Sequence, residues 1–209
     1  MVEWLSKYTE WIPYKHKVKA LLDSGKYVTL PVNKETIEIV GKEKIIDVFF
    51  RPYTKKMWAI DLEDLDPEIL NRVPVREDMN EFYFPNDTFQ AMPKYGYCEI
   101  FNRMLDHPCI NIQLNKNFNS DLEKNYYHIF NSMPIDEYFN FSFGELPYRS
   151  VRFHHYTIPT PSSLPVATVN FTHHEKFTRV TEWKKIPGHG SNPCYTTLTL
   201  DRKSTRLNS

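Results

Sequence analysis

Four runs rich in β-branched and aromatic residues decide the fold class, and they follow one another in the last third of the chain. They read RSVRFHHYTI (149–158), LPVATVNFT (164–172), FTRVTEWKK (177–185) and CYTTLTL (194–200). Clusters of Pro, Gly, Ser and Asn separate them, as is typical of turns between strands. The pattern predicts a C-terminal antiparallel sheet.

The second of these runs predicts a sheet with two unlike faces. Side chains alternate along a strand, so Thr168 and Asn170 share one face while Ala167, Val169 and Phe171 share the other. The first face is polar enough to bind a ligand.

Earlier segments add further strands. KVKALL (17–22) and YVTLPV (27–32) flank a turn that contains Gly25, which is the pattern of a β-hairpin. INIQL (110–114) and YHIFNS (127–132) also read as strands.

Three segments have helical patterns. Residues 33–51 are predicted as a helix with Thr36 as N-cap, ending before Pro52 because a residue preceding proline is disfavoured in the α conformation. EWLSKYTEWI (3–12) places its apolar residues three and four apart, and YCEIFNRML (97–105) does the same. The fold class predicted is mixed α/β, with a small helical part beside the sheet.

Length, charge and cysteine content restrict the class of protein. The 209 residues suffice for one large or two small domains, and 26 basic residues balance 26 acidic ones. This balance argues against general nucleic-acid binding and against attraction to an anionic membrane. There is no apolar run of signal-peptide or membrane-span length, and the three cysteines form no CxxC pair. We therefore expect a soluble cytoplasmic protein without a disulfide framework or a metal site.

The densest group of candidate binding residues lies in FFRPYTKKMW and the segment that follows it. Phe49, Tyr53 and Trp58 are flat rings near a predicted helix end, where they either pack in the core or stack on a flat ligand. Arg72 and Arg76 in RVPVR lie on the same side of an extended stretch. The planar fork of arginine suits a phosphate, although a surface ion pair is the plainer interpretation.

Other polar residues give weaker signals for chemistry. The doublets His154-His155 and His173-His174 can each supply one metal ligand at most, because neighbours on a strand point to opposite faces. Asp136 and Glu137 fit a helix cap better than an acid/base pair. No Ser or Cys lies in a nucleophile elbow.

Five segments spanning most of residues 10–200 carry a recognisable family pattern. They are HKVKALLDSGKYVTLPVN (16–33), FFRPYTKKMW (49–58), LNRVPVREDMNEFYFPNDTFQAMPKYGY (70–97), PIDEYFNFSFGELPYRSVRF (134–153) and VATVNFTHHEKFTRVTEWK (166–184). The combination of YTxKxW, RxPVR and ELPYRS is specific. In order and content, these segments resemble the UDP-galactopyranose mutases, FAD-dependent isomerases of nucleotide sugars.

The resemblance implies a substrate site built from the aromatic and basic residues already singled out. It implies that Phe49 and Tyr53 hold the uracil ring and that Trp58 lies near the galactose. Arg72 and Tyr83 would meet the diphosphate.

The resemblance also implies further polar and cofactor contacts. Arg149 and Arg179 would be additional cations around substrate and flavin, with Asn170 beside them on the polar face of the sheet. Arg72 and Arg179 are the two catalytic candidates. His16 and Phe118 are assigned to the FAD cofactor.

The activity implied by the resemblance is the interconversion of UDP-galactopyranose and UDP-galactofuranose, a step toward cell-wall polysaccharide. In the family mechanism N5 of reduced FAD attacks the anomeric carbon, UDP leaves, and the sugar ring reopens and recloses as the furanose. No catalytic His, Ser or carboxylate is then needed, and a homodimer is compatible with this reading. A cofactor-free nucleotide-sugar binding module, a different FAD enzyme of the amine-oxidase type and a fragment without function are the alternatives.

The same resemblance divides the chain into parts. Residues 1–33 would be a substrate- and FAD-side segment with the hairpin, 34–109 the helical and loop part that binds substrate, and 110–147 strands of a partial Rossmann-like FAD domain. Residues 148–200 would be the antiparallel sheet, and the polar segment 201–209 a non-native tail. The family's GxGxxG turn and C-terminal flavin segment are not found, so we expect an internal fragment that is inactive by itself.

Overall fold

A six-stranded sheet and a separate two-stranded sheet organise the protein. The computed structural model describes residues 1–65, 75–148, 150–173 and 176–203. The strands are β1 (Trp11–Pro13), β2 (Val18–Leu21), β3 (Tyr27–Leu30), β4 (Ala91–Pro93), β5 (Val151–Ile158), β6 (Thr168–Phe171), β7 (Arg179–Glu182) and β8 (Thr196–Lys203). The α-helices are α1 (Val2–Leu5), α2 (Lys34–Val40), α3 (Arg51–Trp58), α4 (Gly96–Leu105) and α5 (Ile135–Tyr138). The mixed α/β class predicted from the sequence is confirmed.

The large sheet has the strand order β3-β2-β6-β7-β8-β5. β2 and β3 form the predicted antiparallel hairpin, and the four strands predicted in the last third are joined by three antiparallel pairings. β2 and β6 run parallel. The sheet is therefore mixed rather than purely antiparallel, because the hairpin from the start of the chain adds to the edge of the C-terminal strands.

One row of paired residues crosses the large sheet. Ala20 pairs with Asn170, Asn170 with Arg179, and Arg179 with Asp201. Directly paired residues project from the same face. The row therefore runs from a fully buried alanine at one side to a pair of opposite charges at the other.

The helical segment after β3 begins at a different residue from the predicted cap. Asn33 Oδ1 accepts the backbone N–H of Thr36 at 3.0 Å, so Asn33 is the N-cap of α2. The buried hydroxyl of Thr36 donates to the carbonyl of Thr29 at 2.9 Å. The prediction of Thr36 as N-cap was wrong because this hydroxyl fastens the helix to β3.

Helical structure continues past Pro52, contrary to prediction. A π-helical turn over Ile46–Phe50 passes directly into α3, and Pro52 lies in the first turn of α3. A proline in a first helical turn removes no needed N–H donor. Tyr53 is consequently held on a helix rather than in a loop.

The main hydrophobic cluster lies between the hairpin and this helical segment. Its buried members are Ala20, Val28, Val32, Ile45 and Phe49. Burial of each larger apolar side chain stabilises the fold by about 1.5–3 kcal/mol. The cluster therefore fixes the hairpin against the segment that carries Tyr53.

Tertiary pairing changes the N-terminal prediction and leaves the next helix intact. The helix predicted over 3–12 ends at Leu5, and Trp11–Pro13 pairs antiparallel with Ala91–Pro93. A strand partner distant in sequence overrides the local helical spacing. The helix predicted over 97–105 is confirmed as α4.

The stretch from residue 106 to residue 148 contains only a 3₁₀ helix at Ser120–Asn125 and the short α5. The strands predicted at 110–114 and 127–132 are not formed. A strand needs a partner and an apolar face to cover, whereas Tyr127 and Phe130 in this stretch are fully or almost fully exposed. Its assignment to an FAD domain stays a prediction.

The C-terminal strand extends beyond the predicted boundary. β8 runs to Lys203, and Asp201 is buried opposite Arg179 and Phe153. Cross-strand pairing and an ion pair thus incorporate the first three residues of the polar segment into the sheet. That this segment is non-native stays a prediction.

Candidate functional site

Four of the predicted site residues come together at the edge of the polar sheet face. Tyr83 donates its backbone N–H to the carbonyl of His16 at 2.8 Å, and their ring centroids are 5.9 Å apart. The positive charge of Arg179 lowers the pKa of both His16 and Tyr53, and the nearby Tyr83 raises the pKa of Tyr53. We call His16, Tyr53, Tyr83 and Arg179 the tyrosine–arginine cluster.

The cation of the cluster is held from the sheet side. Arg179 Nε donates to Asp201 Oδ2 at 2.5 Å. The Arg179 side chain is 50% exposed and that of Asp201 only 7%. Asn170 is the neighbour of Arg179 on β6. Anchoring through Nε leaves the terminal guanidinium nitrogens as donors for an anion.

His16 is kept neutral by its surroundings. Partial burial, with the nearby positive charge of Arg179, lowers the pKa of His16 below its ordinary value of 6.5. The Tyr14 hydroxyl lies 2.9 Å from His16 Nδ1. A neutral imidazole held by a phenol can offer its other ring nitrogen to a ligand.

Tyr53 retains its phenolic proton. Burial raises the pKa of Tyr53 above its ordinary value of 10.0, Arg179 opposes this, and Tyr83 and Asp201 reinforce it. Tyr53 therefore presents both an aromatic ring and a hydroxyl donor at neutral pH.

Helix α3 holds Tyr53 over the sheet through a lysine. Lys56 Nζ donates to the carbonyls of Phe171 and Phe177 at 2.6 and 3.2 Å. Charge-assisted bonds of this kind are stronger than neutral ones. They fasten the helix to the end of β6 and the start of the next strand.

The other two predicted aromatic residues differ in exposure. Phe49 is 5% exposed and belongs to the hydrophobic cluster, whereas Trp58 ends α3 with 59% of its surface exposed. Phe49 is thus a core residue and Trp58 is an exposed ring.

The structure does not bring Phe118 to the cluster. Phe118 stacks on Tyr138 with ring centroids 6.0 Å apart, in the stretch between residues 106 and 148. Arg72 and Arg149 lie outside the described residues.

Two residues of the site were missed at the sequence level. Tyr14 stands two residues before His16, and Asp201 continues the alternation of β8 from Thr199. In an extended chain, residues two apart project from the same side, as Tyr14 and His16 do, and Thr199 and Asp201. That spacing was the signal that could have found both residues.

Binding of the FAD pyrophosphate would need glycines at a tight turn. A close phosphate approach needs glycines whose missing Cβ leaves the backbone open to the ligand. A Cβ at Gly25, Gly96, Gly144 or Gly190 would meet nothing within 4 Å, and one at Gly41 would meet only its neighbour Glu43. A Cβ at Gly188 would meet only the carbonyls of Pro93 and Lys94, both 4.0 Å away. These open positions do not form the GxGxxG pattern, because Gly188 and Gly190 are the nearest pair in sequence and Pro193 stands where the third glycine would be.

The described ranges contain no group of three or more His, Cys, Asp or Glu side chains arranged to bind a metal ion. None of the helices described is both long and apolar enough to cross a membrane.

The family model for UDP-galactopyranose mutase matches residues 48–205. The chain belongs to this family. The matched stretch includes α3, the whole large sheet except the hairpin, and the tyrosine–arginine cluster except His16. It also extends past Asp201, into the segment that was predicted to be a non-native tail.

Individual mutase-family relatives agree with this assignment. A probable UDP-galactopyranose mutase of Klebsiella pneumoniae is 29% identical over 232 aligned positions, which cover 92% of this chain and 59% of the relative. The UDP-galactopyranose mutase of Mycoplasma pneumoniae is 35% identical, covering 68% of this chain and 38% of the relative. A dTDP-fucopyranose mutase of Escherichia coli is 30% identical, covering 72% and 41%. The chain thus spans between 38% and 59% of the length of these relatives.

Proposed function

We propose that this chain forms the nucleotide-sugar-binding part of an isomerase that interconverts UDP-galactopyranose and UDP-galactofuranose. The observation that carries the proposal is the half-exposed Arg179 guanidinium, which is fixed to Asp201 and whose charge acts on Tyr53 and on His16, the neighbour of Tyr83. A fixed cation whose field reaches aromatic and hydroxyl groups suits a diphosphate joined to a flat base.

The diphosphate would be bound by the cationic side of the cluster. Arg179 offers its terminal nitrogens, Tyr83 its hydroxyl, and Arg72 and Arg149 would supply further positive charge. Asn170, next to Arg179 on the same sheet face, would add an amide donor. Preorganised donors at the point where charge develops on departing UDP stabilise the transition state.

The base and the sugar would be bound by the aromatic side. Tyr53 would stack on the uracil, with the buried Phe49 behind it as an apolar wall. The exposed ring of Trp58 would lie against the galactose. Such rings fix orientation at small entropic cost, because each has only two side-chain torsions.

The nucleophile for the sugar isomerisation would come from reduced FAD. The sequence has no GxGxxG turn for its pyrophosphate, so the roles above concern the nucleotide sugar alone. His16 and Phe118 stay proposed cofactor contacts.

The cellular setting follows from the proposed activity. A soluble nucleotide sugar places the enzyme in the cytoplasm, where galactofuranose would be prepared for cell-wall polysaccharide. A homodimer fits this proposal, and neither nucleic acid nor a membrane is needed as a partner.

Calorimetric titration of the 209-residue chain with UDP, uridine and inorganic diphosphate tests the proposal. We expect UDP to bind, and Arg179→Ala to weaken binding by about tenfold to a hundredfold through the loss of charge-assisted bonds. Arg103→Ala is the matched control, since Arg103 is 45% exposed and pairs with Glu99 at 2.7 Å on α4. Absence of UDP binding, or equal weakening by both substitutions, would contradict the proposal. Tighter binding of dTDP than of UDP would instead assign the chain to the fucose-type substrate.

A further inference from the structure

Arg76, the last residue of the RVPVR motif, lies inside the protein rather than on its surface. Its side chain is 12% exposed. Nη2 donates to the carbonyl of Asn80 at 2.6 Å, and Nη1 donates to the carbonyl of Phe82 at 3.2 Å. Its own backbone N–H donates to the carbonyl of Val32 at 2.8 Å. The guanidinium therefore binds the backbone of its own loop.

This arrangement does not suit a phosphate ligand. An arginine that binds a diphosphate presents its forked N–H groups to the ligand, but both terminal nitrogens of Arg76 already donate to carbonyl groups, and Nη2 also lies 3.5 Å from the Pro31 carbonyl. The buried Nε has no hydrogen-bond partner within the described ranges and lies 3.9 Å from the carboxylate of Asp78. The phosphate role considered for Arg76 from its sequence pattern does not fit these contacts.

The loop held by Arg76 leads directly to Tyr83. The Phe82 carbonyl that accepts from Arg76 and the Tyr83 N–H that donates to the His16 carbonyl belong to one planar peptide group. Asn80 Oδ1 accepts the N–H of Phe82 at 2.9 Å and closes the turn before it. The peptide group that carries the Tyr83 ring is thus fixed at both ends.

We propose that Arg76 is a positioning residue, which clamps the peptide group between Phe82 and Tyr83 and so fixes the Tyr83 ring beside His16. Its consequence for nucleotide-sugar binding rests on the proposed function. Arg76 itself makes no contact with the substrate in this proposal and acts through Tyr83.

Amide hydrogen exchange measured by NMR tests the clamp without any ligand. Arg76→Lys keeps the positive charge but removes the fork, so the amide of Tyr83 should exchange about tenfold faster or more. Amides of β2 and β6 should keep their protection. Arg103→Lys is the matched control, because Arg103 also donates to a carbonyl, that of Tyr8, at 3.2 Å. Unchanged exchange at Tyr83 would overturn the proposal.

A variant that unfolds still leaves the clamp testable in the unsubstituted protein. In low denaturant the amides of Arg76 and Tyr83 should open together, with the same dependence of exchange on denaturant, because one guanidinium joins the two ends of the loop. Independent opening of the two amides would contradict the proposed clamp.

A double-mutant cycle with UDP separates positioning from a general loss of structure. Arg76→Lys should weaken UDP binding about threefold or more in the presence of Tyr83 and hardly at all in a Tyr83→Ala background. Equal weakening in both backgrounds would show a purely structural role. If the unsubstituted chain does not bind UDP, the proposed function fails, while the exchange measurement still decides the role of Arg76.

Discussion

Arg179 and Asp201 lie directly opposite each other on β7 and β8, and their side chains are joined by a hydrogen bond of 2.5 Å from Nε to Oδ2. The carboxylate is buried while the guanidinium is half exposed. Asp201 is thus buried in the sheet, while Arg179 presents its positive charge at the candidate site. The pair connects the stability of the sheet to the charge of the site.

Removal of the last strand residues should destabilise the protein. The sequence alone predicts that deletion of residues 201–209 leaves the melting temperature nearly unchanged, but Asp201 also accepts the N–H of Thr178 at 2.8 Å through its backbone carbonyl. We expect the deletion to lower the melting temperature. We expect Asp201→Ala, which removes only the side-chain bond to Arg179, to lower the free energy of unfolding by about 1–3 kcal/mol, measured by urea denaturation. Lys203→Ala, on the same strand outside this pair, is the control. A deletion variant as stable as the unsubstituted protein would contradict this expectation.

The fully buried Glu182 should make stability depend on acid pH. Burial raises the pKa of Glu182, but hydrogen bonds from the Thr196 hydroxyl and the backbone N–H groups of Leu164 and Ser163 outweigh it, so the pKa lies below its ordinary value of 4.5. A lowered folded-state pKa contributes stability above the unfolded value and loses it as pH falls through the folded value. Unfolding free energies should therefore drop below about pH 4.5 in the unsubstituted protein and depend less on pH in Glu182→Gln. Parallel pH curves for the two proteins would contradict this account.

At neutral pH the same substitution should carry a stability penalty. Glu182→Gln places an amide N–H₂ among groups that already donate, which should cost about 1–3 kcal/mol. Thr157→Ala, which removes an exposed hydroxyl pair with Thr197, is the control and should stay within about 0.5 kcal/mol. Thermal melting of both variants at neutral pH measures the difference.

The pKa of His16 should respond to Arg179. Burial and then the positive charge of Arg179 lower it below 6.5, so Arg179→Ala should raise it without reaching the ordinary value. NMR titration of the imidazole Cε1–H signal gives this pKa directly. The control Arg103→Ala should leave it unchanged, and an unchanged value in Arg179→Ala would place the guanidinium farther from His16 than the structure does.

The aromatic side chains between residues 106 and 148 should bind an apolar dye. Phe130 and Phe143 are 94% and 90% exposed, and exposed apolar groups of this size attract such probes. The double substitution Phe130→Ser and Phe143→Ser should reduce anilinonaphthalene sulfonate fluorescence while changing unfolding free energy by no more than about 0.5 kcal/mol. A large loss of stability would mean that these rings are packed.

Local patterns in the sequence predicted the hairpin, the four C-terminal strands and helix α4, because alternation and spacing act within a few residues. They failed for Trp11–Pro13, whose strand partner is Ala91–Pro93. They failed also for the apolar runs near Phe130, which find no strand partner. In each case the presence or absence of a strand partner distant in sequence decides the structure.

In the candidate site, too, some residues could be recognised from the sequence and others only from the structure. Tyr53, Tyr83 and Arg179 could be singled out by residue type and by family resemblance, and the structure brings them together. The clamp by Arg76 could not be found in this way, because it depends on the conformation of its own loop. The anchor at Asp201 was indicated only by its spacing from Thr199 along β8. Sequence reasoning thus identifies groups that meet a ligand better than groups that hold them.

The most direct test of the central claim is an NMR map of UDP binding on the isotope-labelled 209-residue chain. We expect the amide signals of Tyr53, Tyr83, Asn170 and Arg179 to shift as UDP is added, while those around Phe118 and Tyr138 do not. Shifts confined to the stretch between residues 106 and 148, or no shifts at millimolar UDP, would contradict it.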